Sequence, residues 1–168
     1  MTILTKTCSI HDYQFYADSI QKIKNTFIAI TNVSGRTIYL SPFTFDSDVA
    51  LEFKFKNNVP ASWVIGFGSN GTSITNKAVY FKISGFNQSK LSIMYQESSS
   101  ATSVGLDTNI STSTVFKLTT ENLHKVNWYR NDVIDANRTT NSSLPLGLRL
   151  DVFNNNDYEL DYVKVKPL

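Results

Sequence analysis

The chain has very little with which to do covalent or metal chemistry. Cys8 is the only cysteine in 168 residues, so no internal disulfide can form and a cysteine-rich metal site is excluded. There are two histidines, His11 and His124, far apart in the sequence. No His-x-x-x-His pair and no serine-elbow motif occurs. Cys8, His11 and Asp12 lie close together, but a Cys–His nucleophile pair is normally assembled from distant elements, so this cluster reads as coincidence. Charge is also sparse. Charged residues are 18% of the chain, 16 basic against 14 acidic, for a net charge of +2. The basic residues form no run or stripe, so the electrostatic footprint of a nucleic-acid-binding protein is missing. No apolar run reaches 18 residues, so no membrane insertion is expected. The N-terminus lacks a basic segment followed by an apolar core, so no signal peptide is expected.

What is abundant is Ser, Thr and Asn, together roughly 30% of the chain and well above ordinary usage. They suit turns and exposed strand faces and solubilise without charge. Aromatics are plentiful too: 11 Phe, 8 Tyr and 2 Trp. Asn-x-Ser/Thr sequons fall at Asn32, Asn70, Asn87, Asn109, Asn137 and Asn141, as expected by chance in so Asn-rich a sequence. They carry meaning only in a secretory setting.

Period-two alternation dominates the pattern. Val49, Leu51, Phe53 and Phe55 alternate with Ala50, Glu52, Lys54 and Lys56. Trp63, Ile65 and Phe67 alternate with Val64, Gly66 and Gly68, so this strand is apolar on both faces and expected to be central. Further strands are expected around residues 27–30, 37–40, 79–83, 91–95 and 116–118. Asn70-Gly71 and Gly85-Phe86-Asn87-Gln88 mark turns. One short helix, of one or two turns, is expected over residues 17–24, with Ser19 as its cap and Ile20 and Ile23 on one face. Residues 96–114, rich in Ser and Thr, read as one long loop.

The last third is the most structured in pattern. The run Leu123 to Arg130 is strand-like, breaks at Asn131-Asp132, and resumes as Val133-Ile134-Asp135-Ala136. A two-residue Asn-Asp break is a hairpin signal, because both residues tolerate the positive φ of a tight turn. Leu146, Leu148, Leu150 and Val152 then alternate with Gly147, Arg149 and Asp151. The turn Asn154 to Asp157 leads into Tyr158-Glu159-Leu160-Asp161-Tyr162-Val163-Lys164-Val165. A tryptophan-bearing hairpin followed by a closing strand of the form Leu-Asp-Tyr-Val-x-Val resembles the C-terminal part of concanavalin A-like lectin and glucanase jelly rolls and of carbohydrate-binding modules. The resemblance covers about the last 50 residues. It implies an all-β, antiparallel jelly-roll sandwich, here one domain over residues 1–168. The expected core is Leu51, Phe53, Phe55, Trp63, Ile65, Phe81, Ile93, Val126, Trp128, Leu148, Leu150 and Val163.

Catalytic members of that group carry a Glu-x-Asp-x-x-Glu motif, which this chain lacks. Glycoside hydrolysis needs two carboxylates, roughly 5–5.5 Å apart for retention or 6.5–9.5 Å for inversion. The nearest pairs are Asp46/Asp48 and Glu159/Asp161, and the second reads as a solvated strand face. No enzymatic activity is therefore expected. No cofactor is expected either. Were a structural calcium bound, Asp46, Asp48 and Asp161 would be its candidate ligands; Asp161 matches an aspartate that helps hold calcium in some carbohydrate-binding modules.

Sugar binding uses aromatic faces with amides and charged groups reaching hydroxyls. Trp63 and Trp128 are in phase with core residues. Tyr39, Tyr80, Tyr129 and Phe153 are out of phase and are surface candidates. The candidate ligand-binding set is Asn127, Tyr129 and Arg149, expected to share one outer face. The resulting expectation is a non-enzymatic structural or adhesion domain on a virion or extracellular surface. Its partners would be a cell-surface glycan, and further copies of itself or other virion proteins. The alternative is an accessory carbohydrate-binding module, or a degenerate glycan-active enzyme domain excised from a longer protein.

Overall fold

The computed structural model describes residues 15–31, 36–45, 47–56, 62–68, 78–84, 90–96, 101–103, 108–141, 144, 147–153 and 160–168. Cys8, His11, Asp12, Asp46, Leu146, Glu159, the sequons at Asn32, Asn70 and Asn87, and the turns at 70–71, 85–88 and 154–157 lie outside them.

Two antiparallel sheets face each other. The six-stranded sheet is built from β1 (Phe15–Ala17), β4 (Val49–Phe55), β10 (Phe116–Glu121), β11 (Lys125–Arg130), β12 (Val133–Thr139) and β14 (Leu160–Pro167), in the order β1-β14-β4-β10-β11-β12. The other sheet contains β2 (Ile28–Thr31), β3 (Arg36–Thr44), β5 (Ser62–Gly68), β6 (Ala78–Ser84), β7 (Lys90–Gln96), β8 (Ala101–Ser103), β9 (Thr108–Asn109) and β13 (Gly147–Phe153). Its order is β2-β3-β13-β5-β6-β7-β8, with β9 also paired to β7. The helix α1 (Ile20–Thr26) is capped by Ser19 as expected, and it lies two to three residues later than the expected 17–24. The Ser19 side chain accepts from the Lys22 N–H at 3.3 Å, and Ile23 is buried.

The expected alternation sets the sandwich. All twelve expected core residues are buried. Phe53 stacks on Phe116 at 4.9 Å and meets Phe55 and Phe81 edge-on, an arrangement that favours aromatic quadrupoles as well as burying area. Trp63 packs edge-on against Phe55 from the opposite sheet. Strand β5, apolar on both faces, lies between β13 and β6 as expected. A Cβ on its Gly66 would lie 2.2 Å from the Val79 carbonyl oxygen, so no side chain fits there.

Three local expectations need correction. Leu123 and His124 are not in a strand: Asn122 and Leu123 both take positive φ (52° and 56°) and turn β10 into β11, which begins at Lys125. The long loop over 96–114 contains two short strands, β8 and β9, because the free edge of β7 offers unpaired backbone groups. Tyr39 is a core residue: it pairs with Leu150, and a side chain shares the face of its cross-strand partner.

The Asn131-Asp132 hairpin forms as expected, with φ of 47° and 63° between the paired Arg130 and Val133. The Asn131 Oδ1 accepts from the Val115 N–H, and the Asn131 N–H donates to the Val115 carbonyl, each at 2.9 Å.

Candidate saccharide-binding face

The outer face of the six-stranded sheet follows from its register. Phe53, Leu51, Leu118, Trp128 and Val163 point inward, so their strand neighbours point out. One row across the sheet reads Tyr16, Lys164, Glu52, Lys117, Tyr129, Ile134. The next reads Lys166, Ala50, Thr119, Asn127, Asn137. Tyr162 and Lys54 pair beyond the first row. The middle of these rows is a shallow hollow of about 240 Å³, walled by Glu52, Lys117, Thr119, Tyr129, Lys164 and Lys166, with Ala50 and Leu168. The small side chains of Ala50 and Thr119 make the depression, and long lysines and a tyrosine rise around it.

Its electrostatics are specific. Glu52 is held by two partners: the Tyr162 hydroxyl donates to its Oε1 at 2.7 Å and the Lys164 ammonium lies 2.9 Å away. Partial burial pushes the Glu52 carboxyl up, but these two hydrogen bonds and the fields of Lys164 and Lys117 outweigh it and hold the group below its ordinary value. Burial, and after it the same contact with Glu52, raises the Tyr162 hydroxyl above the usual tyrosine range. The Lys117 ammonium sits 4.9 Å from the centre of the Tyr129 ring and pairs with Asp132 at the rim. Lys164 lies 5.2 Å from the Tyr162 ring centre.

The expected trio is divided. Tyr129 lies in the hollow, half-buried. Asn127 is its neighbour on the same face but is nearly covered, with its Nδ2 at 3.5 Å from the Thr119 Oγ1. Arg149 does face outward, but from β13 of the other sheet. There it is only 3% exposed and forms a bidentate pair with the fully buried Asp151 (Nε to Oδ1 2.8 Å, Nη2 to Oδ2 3.1 Å). Alternation gives which side of its own strand a residue takes; it does not give which sheet the strand joins. Glu52, Lys117, Lys164, Lys166 and Tyr162 were among the site residues that sequence reasoning passed over. Their signal was the out-of-phase set of their own strands, Glu52 between Leu51 and Phe53, Lys117 between Phe116 and Leu118, and Lys164 between Val163 and Val165; Tyr162 had none, because the register shifts between Leu160 and Tyr162. Tyr80 is also buried, packed on the outer side of its sheet with Val64 and Met94. The side chain of Phe153 is outside the described part.

Of the calcium candidates, Asp46 lies outside the described residues, and Asp48 and Asp161 are each engaged with other groups. Asp48 is fully used as a turn anchor: its Oδ1 accepts from the Thr120 hydroxyl (3.0 Å) and the Leu123 N–H (2.9 Å), and its Oδ2 from the Asn122 N–H (2.7 Å). Asp161 pairs with Lys54 at 3.2 Å. Among the described residues no three His, Cys, Asp or Glu side chains gather as metal ligands.

No protein-family model matches the sequence, and no curated protein matches it. Solved structures resemble it in fold. A Crh5 transglycosylase in its apo form superposes with a TM-score of 0.63 at 13% identity, over 96% of this chain and 89% of the other. A native glycosidic hydrolase gives 0.64 at 10% identity, over 96% and 99%. A legume lectin-like domain from Entamoeba histolytica gives 0.60 at 9% identity, over 96% and 100%. At such identities the likeness establishes the concanavalin A-like jelly-roll fold and nothing finer.

Proposed function

We propose that this chain is a non-enzymatic glycan-binding domain, and that its saccharide platform is the outer face of the six-stranded sheet. The observation that carries this reading is the hollow itself: the Tyr129 ring stands beside the amine donors Lys117, Lys164 and Lys166 and the acceptor Glu52 on a rigid floor of paired strands. A sugar presents an apolar C–H face to a ring and hydroxyls around its edge, and this arrangement offers a partner to each. Lys117 leaves the Tyr129 ring to reach a sugar hydroxyl, because its present partner Asp132 is 81% exposed and such surface pairs are weak.

The non-enzymatic part of the proposal rests on the carboxylates. Among the described residues Glu52 is the one carboxylate side chain walling the hollow, whereas glycoside hydrolysis needs two. A general acid must also have its proton affinity raised, and that of Glu52 is lowered. The working context we propose is a virion or extracellular surface, with the domain in a homo-oligomer or beside other structural proteins. There, avidity multiplies contacts that are weak singly.

A glycan array on the purified chain tests the reading. Tyr129→Ala is expected to abolish binding to whichever glycan the array identifies, while changing stability by about 1 kcal/mol or less, since the ring is outside the core. Binding that survives in a folded Tyr129→Ala variant overturns the placement of the site. Turnover of a bound glycan overturns the non-enzymatic part, and light scattering tests assembly.

A further inference from the structure

From the charge around the hollow we infer that the saccharide it takes is acidic, bearing carboxylate or sulfate groups. This rests on the saccharide-binding reading above and specifies its ligand class. Among the described side chains that wall the hollow, three ammonium groups stand against one carboxylate. They are not equivalent. Lys164 is committed to Glu52 at 2.9 Å. Lys117 is paired with Asp132, which projects from the β11–β12 hairpin into solvent and is readily exchanged for another anion. Lys166 is exposed, and it forms no ion pair with any described residue. It sits one row from Lys164 on the same strand, opposite Ala50, so nothing bulky separates it from the floor.

The other polar partners are arranged for an anion too. Glu52 accepts from both Tyr162 and Lys164 at its Oε1, so that oxygen is already engaged when an anion approaches Lys117 and Lys166. A sugar whose ring lies on Tyr129 has its edge groups directed toward Lys117 on one side and Lys166 on the other. Neutral hydroxyls could accept from the lysines, and the Thr119 and Tyr129 hydroxyls donate or accept, but none of these answers the surplus ammonium charge. An acidic substituent supplies the compensating charge and takes charge-assisted hydrogen bonds from the ammonium groups. A polyanion of another kind is disfavoured by the size of the feature: it is a local hollow, and the rest of the face carries the balancing acids Glu121, Asp132 and Asp161.

The test compares immobilised heparin fragments (sulfate), polygalacturonate fragments and sialyllactose (carboxylate), lactose and laminari-oligosaccharides (neutral), and single-stranded DNA. Expected is binding to one or both acidic groups at least tenfold tighter than to the neutral sugars, with weakening as salt rises toward the range where the screening length is about 8 Å. Sulfated and carboxylated arms tell the two sources of charge apart. Lys166→Gln should lower affinity for the acidic sugar about three- to tenfold. Lys82→Gln, which removes the same charge from an exposed position on the other sheet, should not. Tyr129-dependent binding of neutral sugars at equal or greater strength overturns the inference while leaving the platform in place. Equal losses in both lysine variants, or equal binding of DNA, show general attraction and also overturn it. If no saccharide is bound, inference and platform fall together.

Discussion

Asp48 shows how the role of one side chain is set by partners far along the chain. A carboxylate accepting three hydrogen bonds, two of them from backbone N–H groups of a left-handed turn, is a structural anchor. Replacing it by alanine removes charge-assisted bonds and frees two turn N–H groups. A loss of about 2–3 kcal/mol is expected in urea unfolding. If Asp48 serves the turn and not a cation, EDTA and excess calcium will leave the melting temperature of the parent chain unchanged. The Arg149–Asp151 pair makes a second residue-scale prediction. Both groups are buried, so Asp151→Ala leaves a guanidinium without its bidentate partner and should cost about 3–5 kcal/mol. Replacing both by apolar residues of similar volume should recover much of that loss, as measured by denaturant unfolding of the double variant.

Among the elements, the β11–β12 hairpin is where local chemistry and long-range structure meet. Asn131 and Asp132 hold positive φ, which asparagine and aspartate tolerate better than other non-glycine residues. The Asn131 side chain also ties the turn to Val115, just ahead of β10, and so fixes the wall that carries Lys117 and Tyr129. Asn131→Ala keeps the strands but forces a left-handed alanine and frees the Val115 N–H. About 1–2 kcal/mol of stability should be lost, together with weaker glycan binding, in thermal melts and in array titrations of the same preparation. The preceding turn differs: Leu123 has no intrinsic liking for φ of 56° and is held there by Asp48 and by its contact with the core.

For the whole molecule, the Glu52–Tyr162–Lys164 cluster links stability to pH at both extremes. The Glu52 carboxyl titrates below its ordinary value of 4.5 in the folded state, so the unfolded chain binds the proton first as pH falls. Its contribution is therefore present above pH 4.5 and is lost progressively below it. Tyr162 is raised above its ordinary value of 10.0, so its contribution is present below pH 10 and fades as pH climbs beyond that. A chain in which Glu52 and Tyr162 are replaced by Gln and Phe should show a flatter dependence of melting temperature on pH at both ends. Because Glu52 is partly solvated, the effect is expected to be modest.

The sequence alone determined the sandwich, its core and the Asn131-Asp132 hairpin, because each is a local pattern with one physical solution. Alternation with period two decides which side chains are buried, and a one-residue slip would place Phe53 or Trp128 in water. The same alternation marked Tyr129 and Asn127 as outward-facing. Only the tertiary structure decided what stands beside them. Arg149 has the right phase and the wrong sheet, since strand order is set by pairings between segments distant in the chain, β13 with β3 and β5 rather than with β11. The lysines and Glu52 around the hollow come together through β4, β10 and β14, although Glu52, Lys117 and Lys164 lie far apart in sequence. Nor does anything near Asp48 in sequence announce that its partners are Thr120, Asn122 and Leu123. Strand phase is written locally; strand adjacency is settled by the free energy of packing the whole sheet, and the candidate site depends on adjacency.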